Sequence, residues 1–512
     1  MVIGEGALEA EIPVGGNVAS LLARAARVGG GRPAIVERSH STTYGELADR
    51  AGAIAAALRA DGLAVDDRVG ILLERGCDAA AAYFGVLAAG GIAVVINETL
   101  RPRQIEHILA HSGATRLLTG GDVIERQARP LQTDARMLDL GAVGAAPAHP
   151  PVTRLPTDVA QIIYTSGSTG QPKGVTVTHG NLLAATQTVV GYLGITAFDR
   201  IASLLPFSFV YGSSQLLCAV ARGAALVVER SPLAQQMVET LRERDVTVVA
   251  AVPSLWLRLL GVGAFRGTPL PALRVMTNAG GHLARGAVAE LRAAQPLARL
   301  FLMYGLTEVL RSTYLPPEEL DRRPDSIGRA IEGAQVFVIR EDGTAAAPGE
   351  VGELVHRGPT VALGYWKDAE LTAKVFRPNP LQPAGTPDTE RVVYSGDLVR
   401  RDEDGFLYFV GRKDRIIKTL GYRVGPDEVA DVMHASGQVT EAIVVGEPDE
   451  QWGERIVAYV VLAPQGARDR LAAHCARELP RYMQPARIEI RDALPALPSG
   501  KPDVMALRAS IA

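Results

Sequence analysis

The feature that most constrains the fold of this chain is a regular alternation of short apolar runs with longer amphipathic segments. Thr43 and Glu46 form a capping pair at the start of a helix that is predicted to run to about Leu58, with Gly62 as its stop signal. Predicted strands and helices then alternate through residues 68–118, and the same pattern returns through residues 200–252. Strands that alternate with helices usually pair in parallel. The sequence therefore predicts an α/β fold whose large N-terminal domain contains parallel sheets.

The chain is long enough for more than one domain. It has 512 residues, whereas a single core stops growing near roughly 250–300 residues. Residues 327–356 change to a hairpin pattern, which predicts a small β-rich section that closes the large domain. The composition changes again after Gly411. We expect a large domain over 1–411, a hinge over 412–414 and a small, mobile α/β domain over 415–512.

Composition and charge disfavour several kinds of partner. The formal net charge is −3, so no strong positive field would attract nucleic acid. Residues 1–13 are acidic and lack the basic and apolar regions of a secretion signal, which favours a cytoplasmic location. The uncharged run 79–96 is about as long as a membrane span, but Gly90-Gly91 interrupt it, so we expect a buried helix and a strand. The oligomeric state is left open, with a homodimer among the options.

The most informative motif is residues 164–174, which read Y-T-S-G-S-T-G-Q-P-K-G. Small hydroxyl residues and glycines leave backbone N–H groups free to bind anionic oxygens, and the lysine adds a positive charge. The spacing does not match the P-loop pattern G-x-x-x-x-G-K-[ST], so phosphoryl transfer of that type is not supported. The predicted phosphate-binding residues are Thr165, Ser166, Gly167, Ser168, Thr169, Gly170 and Lys173.

Four further segments follow this motif in a fixed order. They are Tyr304-Gly305-Leu306-Thr307-Glu308, Ser395-Gly396-Asp397, residues 411–423 and Pro498-Ser499-Gly500-Lys501. Together with the glycine-rich motif they resemble the AMP-forming acyl ligase superfamily, which includes acyl-CoA synthetases, adenylation domains and luciferases. The resemblance spans residues 164–501. It implies that ATP activates a carboxylic acid to an acyl-adenylate with release of pyrophosphate, and that the acyl group then passes to a thiol.

The resemblance also implies roles in nucleotide binding. Glu308 corresponds to a carboxylate that contacts Mg²⁺, and Thr307 to an α-phosphate contact. Tyr304, next to Gly305, corresponds to a ring that stacks on adenine, with Gly280, Gly281 and His282 lining the other edge. Asp397 corresponds to the acceptor of both ribose hydroxyls, and Arg412 lies near that ribose. His282 could equally be an exposed loop histidine.

The chemistry explains the need for cations rather than for a general base. A carboxylic acid is already ionised at neutral pH and can attack the α-phosphorus directly. The obstacle is the approach of an anion to a polyanion, which positioned cations relieve. Lys501 corresponds to the catalytic lysine of the family. A unit charge about 4 Å from a phosphate oxygen contributes about 4 kcal/mol at an effective dielectric constant near 20.

A second set of residues is implied in the thiol step. In the superfamily the small domain rotates after adenylation, and Asp414 corresponds to its hinge. Lys418, Gly421 and Arg423 correspond to the loop used in the thioester-forming state. The ordinary alternative for Asp414 is an ion-pairing loop residue between Lys413 and Arg415.

The predicted acyl pocket favours an apolar acid. Residues 205–212 align with a P-x-F-H pocket motif in which Phe209 replaces the histidine. Amino-acid-activating relatives carry an aspartate at the next position, where this chain has Val210. An unpaired buried ammonium would cost several kcal/mol, so an α-amino acid is disfavoured. The candidate pocket residues are Phe209, Tyr211, Gly212, Asn278 and Leu306, and any of them could be a core residue.

The thiol acceptor is less tightly constrained by the sequence. Residues 277–281 and 303–325 are similar to bacterial standalone acyl ligases, and residues 425–428 and 448–454 look more like CoA ligases than embedded peptide-synthetase domains. Coenzyme A is therefore the predicted acceptor. The alternatives are the phosphopantetheine of an acyl carrier protein, a protein that runs only one half-reaction, and a nucleotide-binding regulator.

Overall fold

The strands and helices follow the alternation that the sequence predicts. The computed structural model describes residues 16–127, 129–144, 150–166, 172–387, 389–413, 415, 417–419, 422–449, 453–479, 481–497 and 502–511. Within these ranges, no helix combines the length and apolar character needed to cross a membrane.

The strands are numbered in chain order. They are β1 (Pro33–Val36), β2 (Ser41–Thr43), β3 (Arg68–Leu72), β4 (Ile92–Val95), β5 (Arg116–Thr119), β6 (Arg136–Asp139), β7 (Val159–Ser166), β8 (Pro172–Thr178), β9 (Arg200–Ser203), β10 (Ala225–Val228), β11 (Val248–Ala251), β12 (Val275–Asn278), β13 (Arg299–Tyr304), β14 (Thr313–Leu315), β15 (Ser326–Ala330), β16 (Gln335–Ile339), β17 (Val351–Arg357), β18 (Gly364–Tyr365), β19 (Phe376–Pro378), β20 (Arg391–Arg401), β21 (Leu407–Arg412), β22 (Ile417–Thr419), β23 (Tyr422–Val424), β24 (Val439–Asp449), β25 (Gly453–Leu462) and β26 (Arg487–Ile490).

The α-helices are numbered in the same way. They are α1 (Ser20–Gly29), α2 (Tyr44–Ala60), α3 (Cys77–Ala88), α4 (Pro102–Ser112), α5 (Gly121–Glu125), α6 (His179–Leu193), α7 (Val210–Arg222), α8 (Ala234–Glu243), α9 (Pro253–Leu260), α10 (Gly263–Gly267), α11 (Arg285–Ala294), α12 (Ala369–Val375), α13 (Pro426–Ala435), α14 (Arg468–Glu478) and α15 (Val504–Ile511).

Local sequence signals explain several of these elements. The capping box between Thr43 and Glu46 is present at the start of α2, as predicted. The uncharged run 79–96 forms most of the buried helix α3 and then β4. Both predictions are confirmed. Each was possible because the signal comes from residues that are close in sequence.

Three sheets organise the described residues. A seven-stranded sheet has the order β18-β8-β7-β4-β3-β5-β6, and a 14-stranded sheet runs β16-β17-β20-β21-β15-β14-β13-β12-β11-β9-β10-β1-β2, with β19 on β20. A five-stranded sheet has the order β23-β22-β25-β24, with β26 on β25. Along the chain, β21 is the last strand of the 14-stranded sheet and β22 is the first strand of the five-stranded sheet. A large N-terminal domain is therefore followed by a small C-terminal one. The exact hinge, 412–414, remains a prediction.

The predicted α/β fold with a large and a small domain is confirmed, and within it the large sheets also contain antiparallel pairs. β7 and β8 form an antiparallel hairpin, and β13 is followed by antiparallel β14. The hairpin strands 326–412 continue the 14-stranded sheet through the β15–β21 pair instead of forming a separate section. The carboxyl ends of the parallel strands β9, β11, β12 and β13 meet at one edge, which is where open α/β sheets bind ligands.

Candidate active site

The glycine-rich motif spans the hairpin of β7 and β8. β7 extends to Ser166, inside the motif itself, and Thr165 pairs in register with Lys173 on β8. The lysine therefore occupies a strand position and not a loop position, and both Thr165 and Lys173 are half-buried. The predicted phosphate-binding residues Gly167, Ser168, Thr169 and Gly170 lie outside the described residues.

A group of hydrogen-bonded residues, which we call the ribose-side cluster, comprises Tyr304, Ser395, Asp397 and Arg412. Asp397 on β20 is in register with Arg412 on β21, and the guanidinium donates from Nη1 to Asp397 Oδ1 at 2.7 Å. The same Nη1 donates to the Ser395 carbonyl at 3.0 Å. The Tyr304 hydroxyl donates to the second carboxylate oxygen, Oδ2. Both oxygens of Asp397 are thus held by donors from the protein.

The environment of Tyr304 keeps its hydroxyl protonated. Burial raises the pKa of Tyr304 well above its usual value, and the charge of Asp397 raises it further. The ring lies nearly parallel to the buried His356 ring, with 6.2 Å between the ring centroids. The tyrosine hydroxyl is therefore a fixed donor to Asp397 at neutral pH.

Glu308 lies in a single 3₁₀ turn, Thr307–Val309, directly after β13. Its Oε1 accepts a hydrogen bond from the Tyr365 hydroxyl at 2.5 Å, and the Ala362 N–H donates to its backbone carbonyl at 2.9 Å. Burial raises the pKa of Tyr365, and the Glu308 charge adds to that rise, so Tyr365 stays a donor. The second carboxylate oxygen of Glu308 has no hydrogen-bond partner within the described ranges.

This carboxylate fits a single contact to a divalent cation. No group of three or more His, Cys, Asp or Glu residues arranged to hold a metal occurs within the described ranges. Mg²⁺ is commonly held by one or two carboxylates together with phosphate oxygens and water. A half-buried glutamate with one oxygen available matches that pattern, and a site made wholly of protein ligands does not.

The loop after β12 approaches the C-terminal domain. Gly280 has a φ of +82°, a conformation that favours glycine, and Asn278 donates from Nδ2 to the Gly281 carbonyl at 3.1 Å. His282 is exposed, and its Nε2 lies 3.8 Å from Asp431 Oδ1 on α13. The loop thus carries an interdomain contact besides the predicted adenine edge.

Contacts between Lys413, in the predicted hinge, and the large domain were missed from the sequence. Lys413 donates from Nζ to Glu353 Oε2 at 2.9 Å, and the Lys413 N–H donates to the Gly396 carbonyl at 2.7 Å. The Gly396 N–H in turn donates to Glu353 Oε1 at 3.1 Å. Lys413 is therefore fixed to the large domain, and no local pattern marks Glu353, which lies 60 residues away in sequence.

The predicted residues of the C-terminal domain are placed only in part. Lys501, Asp414 and Gly421 lie outside the described residues. Lys418 on β22 and Arg423 on β23 are register partners in a short antiparallel pair. Their backbones therefore lie side by side on one ladder.

The predicted acyl-pocket residues gather around the start of α7. Tyr211 is held at its hydroxyl by Thr277, to whose carbonyl it donates at 2.8 Å. Gly212 faces the turn before the helix, since a Cβ there would lie 1.9 Å from the Pro206 carbonyl oxygen. Asn278 is buried at the end of β12, Leu306 is half-buried and Phe209 is 38% exposed. Gly212 thus serves close backbone packing, and the other residues border the space beside β12 and β13.

Comparisons with known proteins agree with this arrangement. The profile of the AMP-binding enzyme family matches residues 22–366, and that of the AMP-binding enzyme C-terminal domain matches residues 428–501. Tyrocidine synthase 3 and tyrocidine synthase 2 of Brevibacillus parabrevis are each 31% identical to this chain over 93% of its length. The chain spans only 7% and 13% of the length of these two relatives.

Solved structures of single enzymes match over nearly their whole length. An anthranilate CoA ligase with anthranoyl-AMP has a TM-score of 0.87 at 24% identity, covering 97% of this chain and 98% of that one, which shows the fold. ATP-bound MatB from Rhodopseudomonas palustris has a TM-score of 0.84 at 26% identity, covering 96% and 99%. The o-succinylbenzoate CoA synthetase of Bacillus subtilis with its acyl-adenylate has a TM-score of 0.82 at 26% identity, covering 94% and 96%.

The order of the motifs, the two-domain α/β fold and the matching profiles lead to the same family. The chain belongs to the AMP-binding enzymes, the superfamily of adenylate-forming ligases.

Proposed function

We propose that this chain uses ATP to activate a carboxylic acid as an acyl-adenylate, releases pyrophosphate, and transfers the acyl group to coenzyme A. The observation that carries the proposal is the meeting of Tyr304, Glu308 and the Asp397–Arg412 pair at the carboxyl edge of the large sheet. These residues supply an aromatic ring, a carboxylate for a cation and an acceptor with a cation beside it. In a nucleoside triphosphate, the base could stack on the ring, the phosphate-bound cation could contact the glutamate, and the ribose hydroxyls could donate to the aspartate.

The proposed nucleotide contacts use groups already positioned. Ribose hydroxyls would donate to Asp397 in place of the Tyr304 hydroxyl, which would leave the tyrosine ring for adenine. Lys173, Thr165 and Thr307 would face the phosphates. Structural neighbours solved with ATP support nucleotide binding by this fold.

The proposed chemistry needs electrostatic help more than proton transfer. The substrate carboxylate is ionised, so neither Glu308 nor Asp397 has to act as a base. Glu308 would hold Mg²⁺, which would neutralise charge on the phosphates. A neighbour solved with ATP and magnesium supports the use of Mg²⁺ as the cation. Lys501 would add a positive charge at the departing pyrophosphate.

The thiol step is proposed to use a second domain arrangement. Asp414 would be the hinge, and Lys418, Gly421 and Arg423 would face the active site in the thioester-forming state. Coenzyme A is the proposed acceptor because structural neighbours of similar length are CoA ligases. The carrier-protein alternative is favoured by the peptide synthetases among the relatives, and it would make a carrier protein a partner.

The first experiment is acid-dependent exchange of pyrophosphate into ATP, which isolates adenylation from the thiol step. Wild-type protein, Lys501→Ala and the exposed control Lys374→Ala are compared over a panel of acids. We expect exchange with at least one class of acid, a loss of several hundredfold in Lys501→Ala, and no change in the control. Absence of exchange with every acid, in protein that still binds a preformed acyl-adenylate, would leave only a single half-reaction or a binding role.

A second experiment separates the acceptors. The best acid from the exchange panel is supplied with ATP and either coenzyme A or a phosphopantetheine-loaded carrier protein, and the thioester is detected by mass. Coenzyme A is expected to react. Transfer to the carrier alone would replace the proposed acceptor without affecting the adenylation step.

A further inference from the structure

The acyl side of the site contains a buried arginine for which the protein provides no anionic partner among the described residues. Arg311 is 6% exposed. Its guanidinium makes no hydrogen bond or ion pair with any described residue, and its Nε is fully enclosed without a partner. A buried cation without an anionic partner costs several kcal/mol, so proteins rarely keep one without a function.

The backbone holds Arg311 in this position through a strained turn. Leu310 has φ +54° and ψ −55°, and the Arg311 N–H donates to the Val309 carbonyl at 2.5 Å, which together form a γ-turn of the rare type. Thr360 donates from Oγ1 to the Arg311 carbonyl at 3.3 Å. Such conformations cost about 1–3 kcal/mol and cluster at functional sites. The turn directs the chain inward directly after Glu308.

The guanidinium lies beside the predicted acyl-pocket helix. Its central carbon is 5.0 Å from the centroid of the Tyr211 ring. Burial raises the pKa of both Tyr211 and Cys218, and the Arg311 charge opposes the rise at each. Tyr211 and Cys218 are seven residues apart on α7 and lie on one stripe, with Gln215 between them. The Arg311 charge is therefore felt along two turns of this helix.

Other polar atoms around Tyr211 also lack partners among the described residues. They belong to the residues that, with Tyr211 and Arg311, we call the acyl-side cluster: Gln215 at Oε1, Asn278 at Oδ1 and Ser208 at Oγ. All three side chains are more than nine-tenths buried. Buried polar groups normally find hydrogen-bond partners, so this concentration of unpartnered atoms points to a polar ligand. A polar ligand here departs from the largely apolar acid that the sequence favours.

We propose that Arg311 determines acid specificity by pairing with a second carboxylate on the acyl part of the substrate, so that the chain activates one carboxylate of a dicarboxylic acid. The inference rests on the proposed adenylation of an acid. A guanidinium can offer two parallel N–H donors to a carboxylate, and such charge-assisted pairs are the stronger hydrogen bonds. The Arg311 charge would also repel an α-ammonium group, in agreement with Val210 at the position where amino-acid-activating relatives carry an aspartate.

The test compares acids that differ only in the second carboxylate. Hexanoate is paired with hexanedioate, and benzoate with benzene-1,4-dicarboxylate, in pyrophosphate exchange with KM and kcat measured for each. Wild-type protein should prefer at least one diacid over its partner by roughly ten- to a hundredfold in kcat/KM, mostly through KM. Arg311→Leu should lose that preference, Arg311→Lys should keep part of it, and the exposed control Arg322→Leu should keep all of it.

A charge exchange guards against a purely structural effect. Arg311→Glu should favour 6-aminohexanoate over hexanedioate, which a loss of folding could not produce. Thermal unfolding and ATP binding are measured for every variant.

The outcomes separate the two proposals. If no acid supports exchange in wild-type protein, the proposed function fails. If exchange occurs with no preference for either diacid, or if Arg311→Leu weakens both members of a pair equally, adenylation stands and the pairing of Arg311 with a second carboxylate is overturned. Equal weakening would place Arg311 at the reacting carboxylate.

Discussion

The ribose-side cluster and the acyl-side cluster lie at the same edge of one sheet but differ in how their polar atoms are satisfied. In the ribose-side cluster, Asp397 receives hydrogen bonds from Tyr304 and Arg412 at its two oxygens. In the acyl-side cluster, Arg311, Gln215 and Asn278 each keep a buried atom without a partner among the described residues. One half of the site is complete without a ligand and the other half is not.

The difference matches the two kinds of substrate in the proposed reaction. ATP is the same in every adenylation, so its contacts can be built from residues that also stabilise one another. The acid differs from one ligase to the next. The buried polar atoms that have no partner in the protein therefore determine which acid the pocket binds. Unpartnered atoms thus carry more information about the substrate than the motifs do.

The largest expected effect concerns His356, which stacks on the Tyr304 ring of the ribose-side cluster and hydrogen-bonds Ser312, the residue after Arg311, at 2.7 Å. Burial lowers the pKa of His356 to about 3. The unfolded chain therefore takes up the proton first, so the contribution of His356 to the unfolding free energy should be constant above pH 7 and fall from about pH 6.5 towards pH 3. The full effect is on the order of 4 kcal/mol.

Denaturant unfolding of wild-type protein and His356→Leu at pH 7, 6, 5 and 4 measures this dependence. The variant should show a shallower slope, and the exposed control His40→Gln should match wild type. Equal slopes in wild type and His356→Leu would show that protonation of His356 does not contribute to the pH dependence of the unfolding free energy.

The next largest effect is expected for Asp397→Ala. The substitution removes the acceptor of both Tyr304 and Arg412, so the KM for ATP should rise about a hundredfold, as expected for lost charge-assisted hydrogen bonds. Initial rates at saturating acid measure it, with the exposed Asp342→Ala as control. The rise should be the same for every acid. A rise that depends on the acid would break the separation of the two clusters.

Tyr211→Phe should affect stability more than nucleotide binding. It removes the hydrogen bond to the Thr277 carbonyl and should lower the unfolding free energy by about 1 kcal/mol, with the KM for ATP unchanged. Tyr192→Phe is a matched control, because its hydroxyl donates to the Met303 sulfur, a weak acceptor. A larger loss of unfolding free energy in Tyr192→Phe than in Tyr211→Phe would show that the hydrogen bond to Thr277 does not account for the effect of Tyr211→Phe.

The smallest effect is expected for Tyr365→Phe. The Tyr365 hydroxyl occupies Glu308 Oε1, so its removal should make that oxygen available and lower the Mg²⁺ concentration for half-maximal exchange by about threefold. A titration of Mg²⁺ at fixed ATP measures the change. An increase instead would mean that Tyr365 positions Glu308 for the cation.

Sequence reasoning succeeded where the signal was local. The capping box of α2 and the buried run 79–96 depend on neighbouring residues, and both were predicted. The joining of β15 to β21 was not, because those strands are about eighty residues apart and no periodicity reports pairing over that distance. The contact between Tyr365 and Glu308 was missed for the same reason.

Arg311 shows a different limit. Arg311 lies in the segment 303–325, and its residue types do not mark it as part of the pocket. The burial of a charged residue can be predicted only if the path of the backbone is known. The γ-turn at Leu310 sets that path, and the residue types in this segment do not predict the turn.

The pairing of Thr165 with Lys173 has a consequence for how this site tolerates insertions and deletions. Because the lysine belongs to a strand ladder, the register of β8 sets the face of the sheet to which its side chain points. A single deletion inside β8 would turn Lys173 to the opposite face of the sheet. Libraries that alter phosphate contacts should therefore keep the length of β8 unchanged.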